Sequence, residues 1–327
     1  MSVVFRELID RFLEGIPDPF EKYTREGAIR GMVDNGVLYS YRIPLVITAP
    51  QGYIINVCRY AMMSSRDLKE AIKALRSIQK LKFYVDLELL FEAMFGWRIS
   101  SYLRRYNLGA LIQAVRHRID FIDSEIDRKG DIIQGNYYLI KTTIPYDREK
   151  EYEMKEERYL YAYFPLKQDR RSINQMFICE LPYAAYTLNQ ARETLKPDEI
   201  KKLKEGEYQR QGDLFFYPIS KNQFDAMSFN SLFRNRRLKK HFWPIWPTAE
   251  IRRRMYGSHA FKHAFIFLDT GSLSFEAAKE VSAAVKIFVK GTVYHRQHGR
   301  MRLGNGNEWH VAVKNTALRS WGATSYD

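Results

Sequence analysis

Near the start of the chain, apolar side chains fall at Val4, Phe5, Leu8, Ile9, Phe12 and Leu13, the three-and-four spacing of one helix face. Arg6, Glu7, Asp10 and Arg11 lie between them, so the segment reads as an amphipathic helix and not as the apolar core of a signal peptide. Pro17-Asp18-Pro19 ends it. The pattern then changes. Residues 36–47 (GVLYSYRIPLVI) and 53–60 (YIINVCRY) are rich in β-branched and aromatic side chains, and Ala49-Pro50-Gln51-Gly52 between them predicts a hairpin turn. Helical spacing returns at Ser64-Ser65, with Asp67 in the first turn and Leu68, Ile72 and Leu75 on one face. It is read on through residues 84–126, where Leu87, Leu90, Phe91 and Met94 form one stripe and Leu108, Leu111, Ile112 and Val115 another, with breaks at Gly96 and Asn107 to Gly109.

A run of mixed charge at residues 147–158 (DREKEYEMKEER) lacks an apolar face and predicts an exposed connection. Beyond it, residues 159–166, 175–181 and 212–219 read as strands, and 186–205 as helical with Pro197 at a first helical position. Alternating apolar residues between 258 and 321 predict further strands, interrupted at 273–285 (LSFEAAKEVSAAV), which is helical in composition. Gly304-Asn305-Gly306-Asn307 predicts a hairpin turn and not a phosphate loop, because no helical pattern follows it. These elements predict an α+β protein. Residues 1–150 would form a small β-hairpin unit with basic helices, and 151–327 a mainly antiparallel, β-rich domain.

Composition narrows the setting. A chain of 327 residues, 46% of them hydrophobic, can bury a substantial core and has room for two domains or three small ones. Cys58 and Cys179 are far apart and form no CxxC pair, which excludes a disulfide framework and a cysteine zinc site and leads us to expect a reducing, cytoplasmic setting. No stretch of eighteen apolar residues occurs, so no membrane span is expected. The net charge of +14 and pI near 9.5 bear most on partners. Excess Lys and Arg attract polyanions, nucleic acid ahead of an anionic membrane surface.

That charge is densest at residues 221–256. Arg234, Arg236, Arg237, Lys239, Lys240, Arg252, Arg253 and Arg254 flank FWPIWPTAE, which holds Trp243 and Trp246. Pro244 and Pro247 rule out a regular helix or a central strand there. Guanidinium groups among aromatic rings suit a nucleic-acid groove, where cations meet phosphate and rings stack on bases. The same residues read equally as tryptophan core anchors with a solvated arginine rim.

Five of the seven histidines fall between residues 258 and 321: His259, His263, His295, His298 and His310. His295 and His298 form H-x-x-H running into Gly299, His310 lies one strand later, and His259 and His263 share a face in either a helix or a strand. Converging from neighbouring strands, His295, His298 and His310, with His263 as a further ligand, would hold a divalent ion such as zinc and leave a position for water. Without metal, the same histidines would serve as general base and acid, with Lys290 or Lys314 stabilising an anionic phosphorane. In the third reading they only fix the turns of the β domain. His117, in the basic helical region, reads as a surface or a satisfied histidine and not as a catalytic one. Motifs of the type GxxxxGK[ST], GxGxxG, GxSxG and HExxH are absent, and no isolated carboxylate pair suggests a glycosidase.

Four stretches in order cover most of the chain: LYSYRIPLVI with Asn56, Arg59-Tyr60 and Ser64-Ser65; YLYAYFPL with FICELP; TLKPDEI with QRQGDLFFYPI; and VKGTVYHRQH with RLG, EWH and KNT. In them the chain resembles a family of uncharacterised proteins from phages, archaeal viruses and mobile elements. The chain departs from that family at Arg42-Ile43-Pro44, after LYSY, and in the insert at 273–285. The resemblance implies a viral or mobile-element protein and no particular activity. With the charge, it leads us to expect a protein that binds nucleic acid through a basic surface, with metal-dependent or histidine acid–base hydrolysis of a phosphodiester as an added activity. The alternative is a non-enzymatic structural or assembly protein of a virus or mobile element.

Overall fold

The computed structural model describes residues 3–15, 19–24, 27, 29–58, 62–95, 112, 115–143, 157–166, 176–220, 242–244, 259–269, 285–295 and 299–322. The chain divides into two units, Met1–Ala191 with Leu318–Ala323, and Arg192–Ala317 with Thr324–Asp327.

The first unit begins with α1 (Val3–Glu14), then β1 (Phe20–Tyr23), β2 (Ile29–Asp34), β3 (Val37–Ser40), β4 (Ile43–Ala49), β5 (Gly52–Asn56), α2 (Met62–Leu75) and β6 (Leu81–Val85). The six strands form one sheet in chain order. All pairs are antiparallel except β5 and β6, which run parallel because α2 carries the chain back across the sheet. Where the sequence predicted one strand over residues 36–47, the chain turns at Tyr41-Arg42, both in the left-handed region at φ 47° and 67°. Ser40 pairs directly with Ile43, so this is a two-residue hairpin turn of the primed type.

Alternation could not show that turn, because both faces of the sheet are covered and the strands read as continuous apolar runs. Phe5, Leu8 and Phe12 of α1 pack with Leu38, Val46 and Ile55 on one face. Tyr39, Ile47 and Ile54 pack with Phe83, Phe121 and Tyr138 on the other. At Gly31 a Cβ would come 2.9 Å from the Tyr39 carbonyl oxygen of β3, a fixed backbone atom, so glycine is required there. Asp67 of α2 is buried, accepting two hydrogen bonds from Arg30 at 2.6 and 2.8 Å and one from Ser40 Oγ at 2.6 Å. A paired, bidentate carboxylate of this kind fixes a helix against a sheet more tightly than apolar contact alone.

After α3 (Leu87–Phe95), a second sheet starts with β7 (Ile119–Lys129), β8 (Ile132–Thr143), β9 (Glu157–Pro165) and β10 (Phe177–Glu180), all antiparallel. The helical reading of 84–126 is corrected at both ends: Tyr84 belongs to β6, and residues 119–126 are strand. Ile119 and Phe121 alternate with Asp120 and Ile122, a period of two that a helical template absorbed. Since β9 and β10 pair within this sheet, the division between the units falls after Ala191 and not near residue 150.

The second unit follows α4 (Leu188–Thr194), which spans the division, and α5 (Asp198–Lys201), where Pro197 is the N-cap and not the first helical residue. Its strands are β11 (Gln209–Gln211), β12 (Leu214–Pro218), β13 (Phe242–Pro244), β14 (His259–Asp269), β15 (Val285–His295), β16 (Gly299–Arg302) and β17 (His310–Lys314). They form a seven-stranded antiparallel sheet in the order β11-β12-β17-β15-β14-β13, with β16 also on β15. Pro244 thus sits on a strand that is an edge among the described residues, the place in a sheet where proline is tolerated. Residues 304–307 form a turn, but β16 and β17, which it joins, both pair with β15 and not with each other, so it closes no hairpin. Finally β18 (Arg319–Gly322) returns to the first unit and pairs with β10.

The protein is therefore α+β, with a mainly antiparallel second unit. Among the described residues no helix is long and apolar enough to cross a membrane, and Cys58 and Cys179 form no disulfide.

Candidate functional site

Strand β15 is the frame of the candidate site, because three neighbouring strands carrying chemistry-bearing residues pair with it. His295 lies directly opposite His259 on β14 and opposite Gly299 on β16. His263 lies opposite Lys290, and His310 on β17 lies opposite Val289. A register shift between Phe261 and His263 faces Gly291, whose φ of 88° lets β15 take up the extra residue.

This register sorts the histidines. Val289 and His295 are six residues apart on one strand, about 20 Å at the rise of an extended chain. His310 therefore does not share a ligand with His295, since two imidazoles on one zinc ion each stand about 2 Å from it. The partner that the sheet does give His295 is His259. His298 lies outside the described residues. Among the described residues, no group of three His, Cys, Asp or Glu side chains is placed to hold a metal ion.

His310 is buried beneath the turn that precedes β17, at 3% exposure. Its Nδ1 stands 3.1 Å from the carbonyl oxygen of Glu308, so Nδ1 carries the proton and donates it. The ring lies against Gly304, in the left-handed region at φ 48°, where a Cβ would come 3.4 Å from Cε1. Burial lowers the His310 pKa, more than the Glu308 carbonyl raises it. This is a neutral imidazole that braces a turn.

The two lysines are apart as well. Lys290 Nζ stands over the Trp309 ring, 4.9 Å from its centroid. Because neighbours alternate along a strand, Lys290 and Trp309 face the side of the sheet opposite to Val289 and His310. Lys314, at the far end of β17, forms an exposed ion pair with Asp213 at 3.8 Å.

What the sheet does assemble is a polar face at the β15–β16 hairpin. Val289, Val293, Met301 and Leu303 pack inward with Leu214 and Phe216. The alternate residues Lys290, Thr292, Tyr294, Arg300 and Arg302 therefore line the other side, with Trp309 beside them. Tyr294 is 46% exposed and lies directly opposite Arg300, and Thr292 opposite Arg302. The Arg302 guanidinium folds back onto the Asn305 carbonyl, whereas Arg300 makes no ion pair among the described residues. Glu308, the nearby acid, is held by Asn305 Nδ2 at 2.8 Å. An exposed ring next to an unpaired guanidinium can stack on a base and meet its phosphate.

Of the nucleic-acid residues read from the sequence, Trp243 lies on edge strand β13, opposite Leu268. Arg234, Arg236, Arg237, Lys239, Lys240, Trp246, Arg252, Arg253 and Arg254 lie outside the described residues. The sequence reading missed Tyr294, Arg300 and Arg302. Their signal was the alternation in TVY and GRMRL, which sets polar residues on one face once the strands are placed. Comparison with protein families, curated proteins and solved structures finds no match for this chain.

Proposed function

We propose that the protein binds nucleic acid through the basic surface of its second unit, as a viral or mobile-element protein. The observation that carries this is the Tyr294–Arg300 pair on a face shared with Lys290 and Arg302. The unit around it holds 23 Lys and Arg against 13 Asp and Glu, most of the chain's excess of +14. In this reading Arg300 and the basic residues of segment 221–256 neutralise phosphates, and Tyr294 stacks on a base.

The test is fluorescence anisotropy on single-stranded DNA and RNA across a salt series. Log affinity should fall linearly with log salt, and Arg300→Ala should flatten the slope by about 1. Tyr294→Ala should cost roughly 1–3 kcal/mol and leave the slope unchanged. Affinity indifferent to salt would remove nucleic acid as the partner and return the protein to an assembly role. A second reading, hydrolysis of the bound strand, rests on the His259–His295 register. Under it, His295→Ala abolishes cleavage with affinity kept; cleavage that survives the substitution removes the histidines from the chemistry.

A further inference from the structure

The first unit contains a cavity of about 1260 Å³, at or above the upper end of the roughly 300–1,000 Å³ that small-molecule sites enclose. It lies where β6, the edge of the first sheet, faces β7, the edge of the second, with α2 as a third wall. Its walls are largely apolar, with Leu68 and Ile72 from α2, Phe83 from β6, and Phe121, Ile126 and Ile133 from the β7–β8 hairpin. Leu81 and Ile126, at 63% and 49% exposure, leave uncovered apolar surface beside it. Phe83 and Phe121 stack at a centroid separation of 4.0 Å, which makes the wall between the two sheets rigid.

Two sets of polar groups in this apolar space are unmatched. Asn136, on β8, is 8% exposed and its Nδ2 has no hydrogen-bond partner. A buried amide donor left in this state is costly unless an acceptor reaches it. Lys69 on α2 and Arg76, in the turn just past its end, border the cavity and are ion-paired with no described residue. The other charges at the site are already engaged. Asp123 accepts hydrogen bonds from the N–H groups of Ser124 and Leu188, both at 2.8 Å. Lys82 Nζ donates to the carbonyls of Ile78 and Lys80. What remains is positive charge on and just past the helix, an apolar interior and one buried donor.

We propose that this cavity binds a small amphipathic anion, an acyl-chain compound whose carboxylate or phosphate meets Lys69 and Arg76. Its apolar body lies along Leu68, Ile72, Phe121 and Ile133, and an oxygen of the ligand accepts from Asn136 Nδ2. The ligand would serve as a bound cofactor or effector of the first unit, distinct from the polyanion proposed for the second.

The full-length protein is titrated with an environment-sensitive fluorescent fatty acid, the dansylated undecanoate, which is then displaced by oleate, by lysophosphatidate, by decanol and by adenosine monophosphate. Oleate or lysophosphatidate should displace the probe at micromolar concentration, and whichever is stronger identifies the headgroup. Decanol should be at least tenfold weaker. The double variant Lys69→Gln/Arg76→Gln should raise the Kd of the anions about tenfold and leave that of decanol unchanged. Asn136→Leu should weaken ligand binding while raising the Tm of the empty protein, since it removes an unsatisfied donor; a purely structural asparagine would give a lower Tm. Failure of the probe to bind, or displacement by adenosine monophosphate and not by the acyl anions, overturns the proposal.

Discussion

His310 illustrates how far a residue's chemistry depends on what surrounds it. In sequence it completes a histidine cluster; in the fold it is sealed under a glycine turn, with its pKa lowered by burial. The unfolded chain binds a proton at about pH 6.5, and the folded protein only at a lower pH. Stability from this group is therefore fully present above about pH 6.5 and is lost as pH falls from there through the folded value. Urea midpoints at about pH 7.5 and 5.5 should differ more in the wild type than in His310→Gln, where the titrating group is gone. An equal difference in both proteins would show that the pH response comes from elsewhere. At 3% exposure the ring is also closed off from a phosphodiester on the surface.

At the scale of elements, the turn between β3 and β4 carries strain that can be measured. Arg42 holds φ 67° with a full side chain, a conformation that costs roughly 1–2 kcal/mol in a non-glycine residue. Tyr41 has a compensating role, its ring lying 4.7 Å from the Arg30 guanidinium. Arg42→Gly should therefore stabilise the protein by about 1 kcal/mol, read as a higher urea midpoint at unchanged slope; Tyr41→Gly should not, because it gives up that contact.

The same turn shows where the sequence was legible. Helix α1 and strands β9, β10 and β12 were readable because each buries one face or forms a short apolar run between clear breaks. The turn at Tyr41-Arg42 was hidden because neither residue is a turn former, and β7 because Ile119, Ile122 and Ile126 also satisfy helical spacing. At the candidate site the clustering of histidines was visible, but not their pairing. Only the register on β15 tells that His259, and not His310, meets His295.

For the whole molecule, the division into two units is not a division of the sequence into two halves. Strand β18 crosses back to β10, and Trp321 packs against the core of the first unit. A chain ending after Ala317 should lose hydrogen-exchange protection at Phe177–Glu180, the strand left as an open edge, while β12, β15 and β17 keep theirs. Equal loss of protection in both units would mean that they unfold as one body.

The return of β18 also fixes when the first unit can be finished. On the ribosome most of its residues emerge early, yet its second sheet waits for a strand made after residues 192–317 of the second unit. At about 5–20 residues per second, the interval from residue 191 to 318 lasts roughly 6 to 25 seconds. During that time the nascent chain presents β10 as an unprotected edge, the period in which a chaperone would have most effect on its yield.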